Sequence, residues 1–531
     1  MKIDKQNSSP LFFLPLILVL DIPFIVYAWQ EGGYSYLIAI FYSLLFPLAL
    51  WSALRLKPWM FVLLSFPILY LSLSFDVLIF DYNSHYNIST WQAVFDSNPE
   101  ESKEFLGILR KLTWTVGILQ ILTYLGYLLW SFKFRVNFSK DFRKFSYFFL
   151  VAFALSYLSS PSGSASKTFP FGHVLHSFIA YQKQSKLEQE RLPQKKAYRY
   201  HAIENKEFQQ DSTPRTIVVL ITESLRRDHQ QIYGYPQATT PLMQKEDIIT
   251  YTNLISPANQ TVTVLRRVFS QAEGNNDTLY FTKTSIITAF NEAGYYTAWF
   301  STQSVGKNGE SKNSVIAKES DTAVFRNNTH LDTVLLKDLQ QALKNPADKK
   351  LIFLHVFGVH YLYDHRFPAD YAHFSKDKNK DFKQDQINKY DDAIRYNDYL
   401  QSEILKQLKQ QAGEKLFITF SDHGESLFDS APNIQGHGAL QPGKVEFDIP
   451  FVLWFSDEYK QNHSQIYNNV LKNKDLPAIN SDFFYSFPYL SGIEFAELKP
   501  EKNFFGNTYN RQQKRFVVNS ALELLDYDSL K

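Results

Sequence analysis

Apolar positions follow two different rhythms along this chain. Up to about residue 160 they come in long runs, at 11–29, 36–54, 59–80, 115–130 and 145–159. A helix needs roughly 20 mostly apolar residues to cross a bilayer, so these runs predict five transmembrane helices. The last two runs are short, and their aromatic flanks suit the membrane interfaces. Asp21 and Asp76 fall inside the first and third runs, where a carboxyl is costly in lipid and is expected to face protein. After residue 215 the rhythm changes to short β-rich runs: "TIVVLIT" (216–222), "TAWFS" (297–301), "LIFLHVF" (351–357), "KLFITFS" (415–421) and "IPFVLWFS" (449–456). Amphipathic stretches such as 390–410 separate them. This alternation predicts an α/β domain with a mostly parallel central sheet and helices on both faces.

Charge adds an orientation. Lys2 and Lys5, then Arg55 and Lys57, then Lys133, Arg135, Lys140, Arg143 and Lys144 occupy loops on one side of the five predicted spans. The positive-inside rule makes that side cytoplasmic. The loop 81–114 and everything after the fifth span then lie outside the cytoplasm. The first run is too long for a cleaved signal core and is expected to remain as an anchor. The division expected is a five-span transmembrane domain (1–162), a juxtamembrane segment (163–214) and a large exported domain (215–531). Residues 169–192 mix aromatic and aliphatic side chains with Lys, Gln and Glu. They are read either as an amphipathic helix on the membrane surface or as a linker helix. A net charge of +2 leaves no nucleic-acid footprint. The chain has no cysteine, which excludes disulfides and thiolate metal sites.

Chemistry-bearing residues recur where the predicted strands end. "ITESLRRDH" puts Glu223 after the first strand, "LHVFGVH" puts His360 after another, and "SDHGES" puts Asp422 and His423 after a third. His437 follows in "GHG". Taken alone, "SDHGES" reads as a polar turn. Ligands of parallel sheets gather beyond the carboxyl ends of the strands, so the set reads as a constellation. Carboxylate and imidazole donors suit zinc, with manganese second. "SPANQTVTVLRRVFS" (256–270) places Thr261 and Thr263 at the start of a helix. A hydroxyl there can hold a phosphoryl group against free N–H groups, or can simply cap the helix. Arg266 and Arg267 in the same helix are read as solvated surface residues, with contact to an anionic acceptor as the alternative.

Together these motifs resemble the membrane-bound phosphoethanolamine transferases of Gram-negative bacteria, within the alkaline phosphatase and sulfatase superfamily. The resemblance is carried by "TESLRRDH", "YGYPQATTPLM", "SPANQTVTVLRRVFS", "HVFGVHYLYDHRFP", "SDHGES" and "GHG", in that order, and by "WQAVFDSNPEESKEFL" (91–106) in the outer loop. It implies metal ligands Glu223, Thr261, Asp422 and His423, with one or two zinc ions. It implies Thr261 as the nucleophile, because Ser256 and Ser270 frame it as the family motif does. His360 and His437 would be further catalytic histidines that contact phosphate. Ser97, Glu101 and Lys307 would contact the substrate. The family's cysteines flanking the nucleophile are replaced here by Pro257 and Arg267, which leans toward relatives that act on lipopolysaccharide core sugars.

The resemblance further implies an inner-membrane protein with its catalytic domain in the periplasm. It would move phosphoethanolamine from phosphatidylethanolamine to lipopolysaccharide, on Kdo, heptose or lipid A, through a covalent phospho-threonine. A glycerophosphate transferase or phosphodiesterase of the same superfamily is the alternative enzyme, and a non-catalytic membrane scaffold the alternative outside enzymes. A typical sulfatase is disfavoured, since no C/S-x-P-x-R motif lies near Thr261.

Overall fold

The β-rich runs of the second half pair into one seven-stranded sheet. The structure, a computed structural model, describes residues 6–31, 35–82, 84–96, 106, 109–159, 170–303, 314–326, 331–376, 381–430 and 435–530. The strands are β1 (Arg215–Thr222), β2 (Ile248–Thr250), β3 (Tyr296–Ser301), β4 (Thr322–Phe325), β5 (Lys349–His355), β6 (Glu414–Ser421) and β7 (Phe451–Phe455). Their order across the sheet is β2-β7-β6-β1-β5-β3-β4. The sheet is mixed: β7 runs antiparallel to both of its neighbours, and the other pairs are parallel. The sequence reading found the five longer strands and missed β2 and β4. Those two are the edges, and their shortness limits the open hydrogen-bonding rim they present.

The central strand β1 is buried at every position. Ile217, Val219 and Ile221 enter one apolar cluster, and Val218 and Leu220 enter another. Side chains alternate across a strand, so both faces of β1 are covered, which is why its sequence is an unbroken apolar run. The helix Thr261–Phe269 packs Val264, Leu265, Val268 and Phe269 on the first face. The helices Leu335–Leu343 and Phe382–Lys409 cover the other with Leu335, Leu339, Leu400, Ile404 and Leu408.

The chain divides into two compact units, 1–95 with 103–184, and 96–102 with 185–531. In the first unit, helices cover all five apolar runs: Leu14–Leu20 and Ile22–Glu31, Ser35–Leu54, Pro58–Leu64 and Phe66–Phe80, Lys111–Ser131, and Lys140–Ser159. By length and apolarity, among the described residues, Lys111–Ser131 qualifies alone as a membrane-crossing helix. The pair Pro58–Leu64 and Phe66–Phe80 qualifies as one span bent by 40°. Asp21 and Asp76 are buried. The helix Pro170–Ala197 runs five residues beyond the expected end at 192 and carries Pro193 inside it.

At the amino ends of β1 and β6 lies a buried ion cluster. Arg215, 1% exposed, donates through Nε to Glu414 Oε2 at 2.8 Å and reaches Glu204 at 3.4 Å and Asp211 at 3.5 Å. His463 stacks on Phe208 with ring centroids 4.1 Å apart, and its Nε2 lies 3.0 Å from Glu414 Oε1. Donor atoms of Asp211, Glu414 and His463 lie within 4.8 Å of one another. A metal is not needed there, because the Arg215 guanidinium already brings positive charge against the same carboxylates. Burial opposes charge on His463, but the hydrogen bond and charge of Glu414 outweigh it and raise its pKa. A histidine with a raised folded pKa contributes stability below its unfolded value of about 6.5 and loses it as pH rises through the folded value. His463→Gln is therefore expected to lower the melting temperature of the detergent-solubilised protein more at pH 5.5 than at pH 9. Equal losses at both would count against this charge pairing.

Candidate active site

Strand order brings the predicted residues together. β1 lies between β6 and β5, with Thr222 opposite Ser421 and Ile221 opposite His355. The next residues in the chain, Glu223 and Asp422, therefore leave the sheet side by side, and His360 arrives from the neighbouring turn. Two glycines allow the crowding. A Cβ at Gly358 would lie 2.7 Å from Glu223 N, and one at Gly424 would lie 2.0 Å from Val445 O. Gly424 is required by this close approach rather than by a left-handed backbone. Ser224 does take a left-handed conformation, with φ of 59°.

Thr261 is the first residue of its helix. Its Oγ1 lies 3.4 Å from Glu223 Oε1 and 3.4 Å from His423 Nε2. Asp422 Oδ2 lies 3.4 Å from His423 Nε2, is buried, and accepts no hydrogen bond. His360 Nε2 stands 3.6 Å from Glu223 Oε1. These spacings are longer than ordinary hydrogen bonds. Two ligands on one tetrahedral zinc, each at about 2.0–2.2 Å, sit roughly 3.3–3.6 Å apart, so the observed spacings and the orphaned Asp422 oxygen fit a shared ion. Donor atoms of Glu223, His423 and His437 also lie within 4.8 Å of one another.

Burial first, and the Asp422 carboxylate second, hold Glu223 well above the usual carboxylate range. Burial lowers His423, although Asp422 opposes it. His360 is held well below its ordinary value by burial, with His437 and Arg366 adding to the effect. Burial opposes a charge on His437 too, yet Glu425 prevails and the imidazole is pushed up to about 9. Glu425 Oε2 lies 2.9 Å from His437 Nδ1, and its Oε1 accepts from Tyr363 Oη at 2.9 Å. The side chains of His360 and His437 are 30% and 22% exposed, against none for Asp422 and His423. The two outer histidines are thus the ones that reach solvent.

Several further residues support the site. Gln303 donates to Glu223 Oε2 from the end of β3, in the segment where Lys307 was expected to act. The same strand-end rule would have found it. Glu425 lies inside "SDHGES" and holds His437 from there. Asp332 accepts from Phe357 N at 3.1 Å and Gly358 N at 2.9 Å, and so fixes the turn that carries His360. No local signal marks it. Ser97, Glu101 and Lys307 lie outside the described residues.

Arg266 and Arg267 correct the sequence reading. They are 3% and 1% exposed, not solvated. Arg266 pairs with Asp277 at 3.1 Å and Glu188 at 3.6 Å, and lies over the Tyr280 ring. Arg267 pairs with Asp277 at 3.1 Å and donates to Gly274 O and Thr263 O at 2.7 and 3.0 Å. Both point into the protein because their helix is packed there on more than its apolar stripe, so neither is available to an acceptor.

Comparison with known proteins gives the chain a family. The sulfatase family model matches residues 215–492, which is more than half of the chain. The chain belongs to the sulfatase family. Within that family it is similar to phosphoethanolamine transferase EptC of Escherichia coli K12, 26% identical over 85% of this chain and 83% of that protein. It is also similar to the Kdo(2)-lipid A phosphoethanolamine 7''-transferase of the same strain, 27% identical over 49% and 48% of the two chains. The C-terminal periplasmic domain of E. coli EptC, solved in complex with zinc, matches with a TM-score of 0.57 and 27% identity, covering 62% of this chain and 96% of that one. The integral membrane protein EptA of Neisseria meningitidis shares the fold over 94% of this chain and 98% of its own, with a TM-score of 0.69 and 18% identity. The expected relationship to phosphoethanolamine transferases is borne out. Like every residue of this sulfatase-family chain, the nucleophile candidate must work without cysteine, so the formylglycine route from cysteine is closed.

Removing Asp277 would leave two buried guanidinium groups without their shared partner. Breaking a buried ion pair from one side costs about 3–5 kcal/mol. Asp277→Ala is expected to lose stability of that order in denaturant unfolding, and a loss under about 1 kcal/mol, typical of surface pairs, would contradict the buried pairing.

Proposed function

We propose that this chain is a phosphoethanolamine transferase that takes its donor group from phosphatidylethanolamine and delivers it to lipopolysaccharide. The observation that carries this reading is Thr261 Oγ1 at a helix start, 3.4 Å from both Glu223 and His423. That arrangement is a nucleophile inside a donor set, not a cap. Glu223, Thr261, Asp422 and His423 would hold zinc, with His360 and His437 outside them toward substrate. The zinc-bound structure of the EptC domain, 27% identical, supports the metal. The five helical runs of the first unit support an anchor of five spans in the inner membrane, with residues 215–531 as the periplasmic catalytic domain. Relatives acting on Kdo(2)-lipid A support a lipopolysaccharide acceptor. Ser97, Glu101 and Lys307 keep their proposed contacts to substrate.

The chemistry then follows in two steps. Zinc, when bound, supplies Lewis acidity that lowers the pKa of the Thr261 hydroxyl and offsets charge on the phosphoryl oxygens. Thr261 Oγ1, its hydroxyl proton given up to solvent, attacks phosphorus, the bond to the diacylglycerol oxygen breaks, and that oxygen takes a proton from the imidazole that is held protonated, His437. A helix start offers N–H groups that can stabilise the negative charge developing there. The enzyme now carries phosphoethanolamine on Thr261. A sugar hydroxyl of the acceptor attacks the same phosphorus, gives its proton to the imidazole, and releases Thr261. The Glu425–His437 contact orients the imidazole for both transfers, as carboxylate partners do for catalytic histidines. An enzyme fixed in the membrane meets donor and acceptor on a surface, which raises their effective concentration.

Purified protein incubated with fluorescent phosphatidylethanolamine is expected to release labelled diacylglycerol, and mass spectrometry to find phosphoethanolamine on the Thr261 peptide. Thr261→Ala should lower release by at least about 1,000-fold. Chelation should abolish it, and added zinc should restore it. Release that survives Thr261→Ala would sink the covalent route, and transfer from phosphatidylglycerol instead would point to a glycerophosphate donor.

A further inference from the structure

One buried carboxylate outside the donor set joins the loops that carry the reacting groups. Glu446 ends the short turn Lys444–Glu446 and is 1% exposed. Its Oε2 accepts from Asn259 Nδ2 at 2.8 Å, from Gly438 N at 2.9 Å and from Ala439 N at 3.2 Å. Asn259 lies just before the Gln260–Thr261 helix start, and Gly438 directly follows His437. Asn259 Nδ2 also donates to Ala439 O at 3.0 Å, so its amide is held between the carboxylate and the "GHG" loop. The backbone of the same turn reaches the third segment of the site. Glu446 O accepts from Gly424 N at 2.8 Å, next to His423, and Phe447 O accepts from Ser256 N at 2.8 Å.

A carboxylate is expensive to bury, and three donors on one oxygen are what make it tolerable. An apolar residue would fill the space more cheaply. What it could not do is accept from two backbone N–H groups of an irregular loop, in which Gly438 has a φ of +80°. Loops carry high conformational freedom, so a spacing between two of them must be fixed by a contact common to both. Glu446 is such a contact for the Thr261 turn and the His437 loop.

We propose that Glu446 is a positioning residue for phosphoryl transfer, holding the Thr261 turn and the His437 loop at a fixed spacing through the Asn259 amide. It touches neither substrate nor the reacting atoms. This inference rests on the phosphoethanolamine transferase reading above. A misplacement of about 1 Å between reacting groups costs on the order of 100-fold in rate.

The test uses the full-length protein in detergent with fluorescent phosphatidylethanolamine, comparing wild type, E446A, E446Q, N259A and the double variant E446A/N259A. Wild type must release diacylglycerol, and its failure to do so would remove the functional reading itself. With wild type active, E446A is expected to lower kcat about 100-fold while KM and zinc content stay near wild type. E446Q keeps a carbonyl acceptor and is expected to remain within about tenfold of wild type. The double variant is expected to be no slower than the slower single variant, because both act through one contact. An active wild type with E446A within about threefold of it, or fully additive losses in the double variant, overturns the proposal. Should E446A fail to fold, N259A decides. A loss in kcat of about tenfold or more at an unchanged melting temperature supports the positioning role, and an unchanged kcat overturns it.

Discussion

Two carboxylates buried side by side need positive charge near them. Glu223 and Asp422 leave adjacent strands, are 5% and 0% exposed, and repel each other in a medium that solvates neither. Gln303 donates to one, Ser224 N donates to the other at 3.3 Å, and Asp422 Oδ2 is left with no donor at all. The oxygen and nitrogen atoms around that gap have the spacing of ligands on one ion. The rest of the site follows from this constraint. The Thr261 hydroxyl sits at its edge, the positive end of a helix stands behind the hydroxyl, and the two histidines with residual exposure face outward. A cation at this point would offset the cost of burying both carboxylates.

The frame that holds these residues is also built on buried charge. Arg215 neutralises carboxylates at the amino ends of the central strands, while Glu223 and Asp422 follow the carboxyl ends of the same strands. Asp277 neutralises Arg266 and Arg267 in the helix that Thr261 begins. The family pattern puts cysteines near Thr261 at the positions of Pro257 and Arg267. Here Pro257 O accepts from Val518 N at 3.0 Å, and Arg267 bonds the carbonyls of Thr263 and Gly274. Hydrogen bonds and ion pairs thus occupy both ends of the absent link. Such pairs add little net stability against an apolar alternative, but they are costly to break from one side. They fix conformation more than they deepen the folding free energy.

Much of the candidate site was legible because the strand-end rule is local. A β-rich run followed by Glu, His or Asp-His marks both a strand and what stands beyond it, and Glu223, His360, Asp422 and His423 were found that way. Thr261 needed the flanking serines to separate it from Thr263. Glu446, Asn259 and Asp332 were invisible, since each acts across loops distant in sequence and none sits in a periodic pattern. Arg266 and Arg267 misled for a related reason. Charge predicts exposure unless a partner is present, and Asp277 and Glu188 become partners only in the folded chain. β2 and β4 escaped because strands of three or four residues carry too short a period to stand out.

The sequence by itself determined the kinds of element, the long apolar runs of the first unit, and the donor types waiting at the strand ends. Those follow from periodicity and from the cost of burying polar groups, both of which act locally. Only the tertiary structure decided that β1 stands between β6 and β5, and therefore that donors more than 190 residues apart share one site. It also decided that β7 reverses direction, that two arginines turn inward, and that a single carboxylate at position 446 bonds both the Asn259 amide and the backbone after His437. Neighbour choice in a sheet is set by long-range pairing of buried faces, and no single run of residues contains that information.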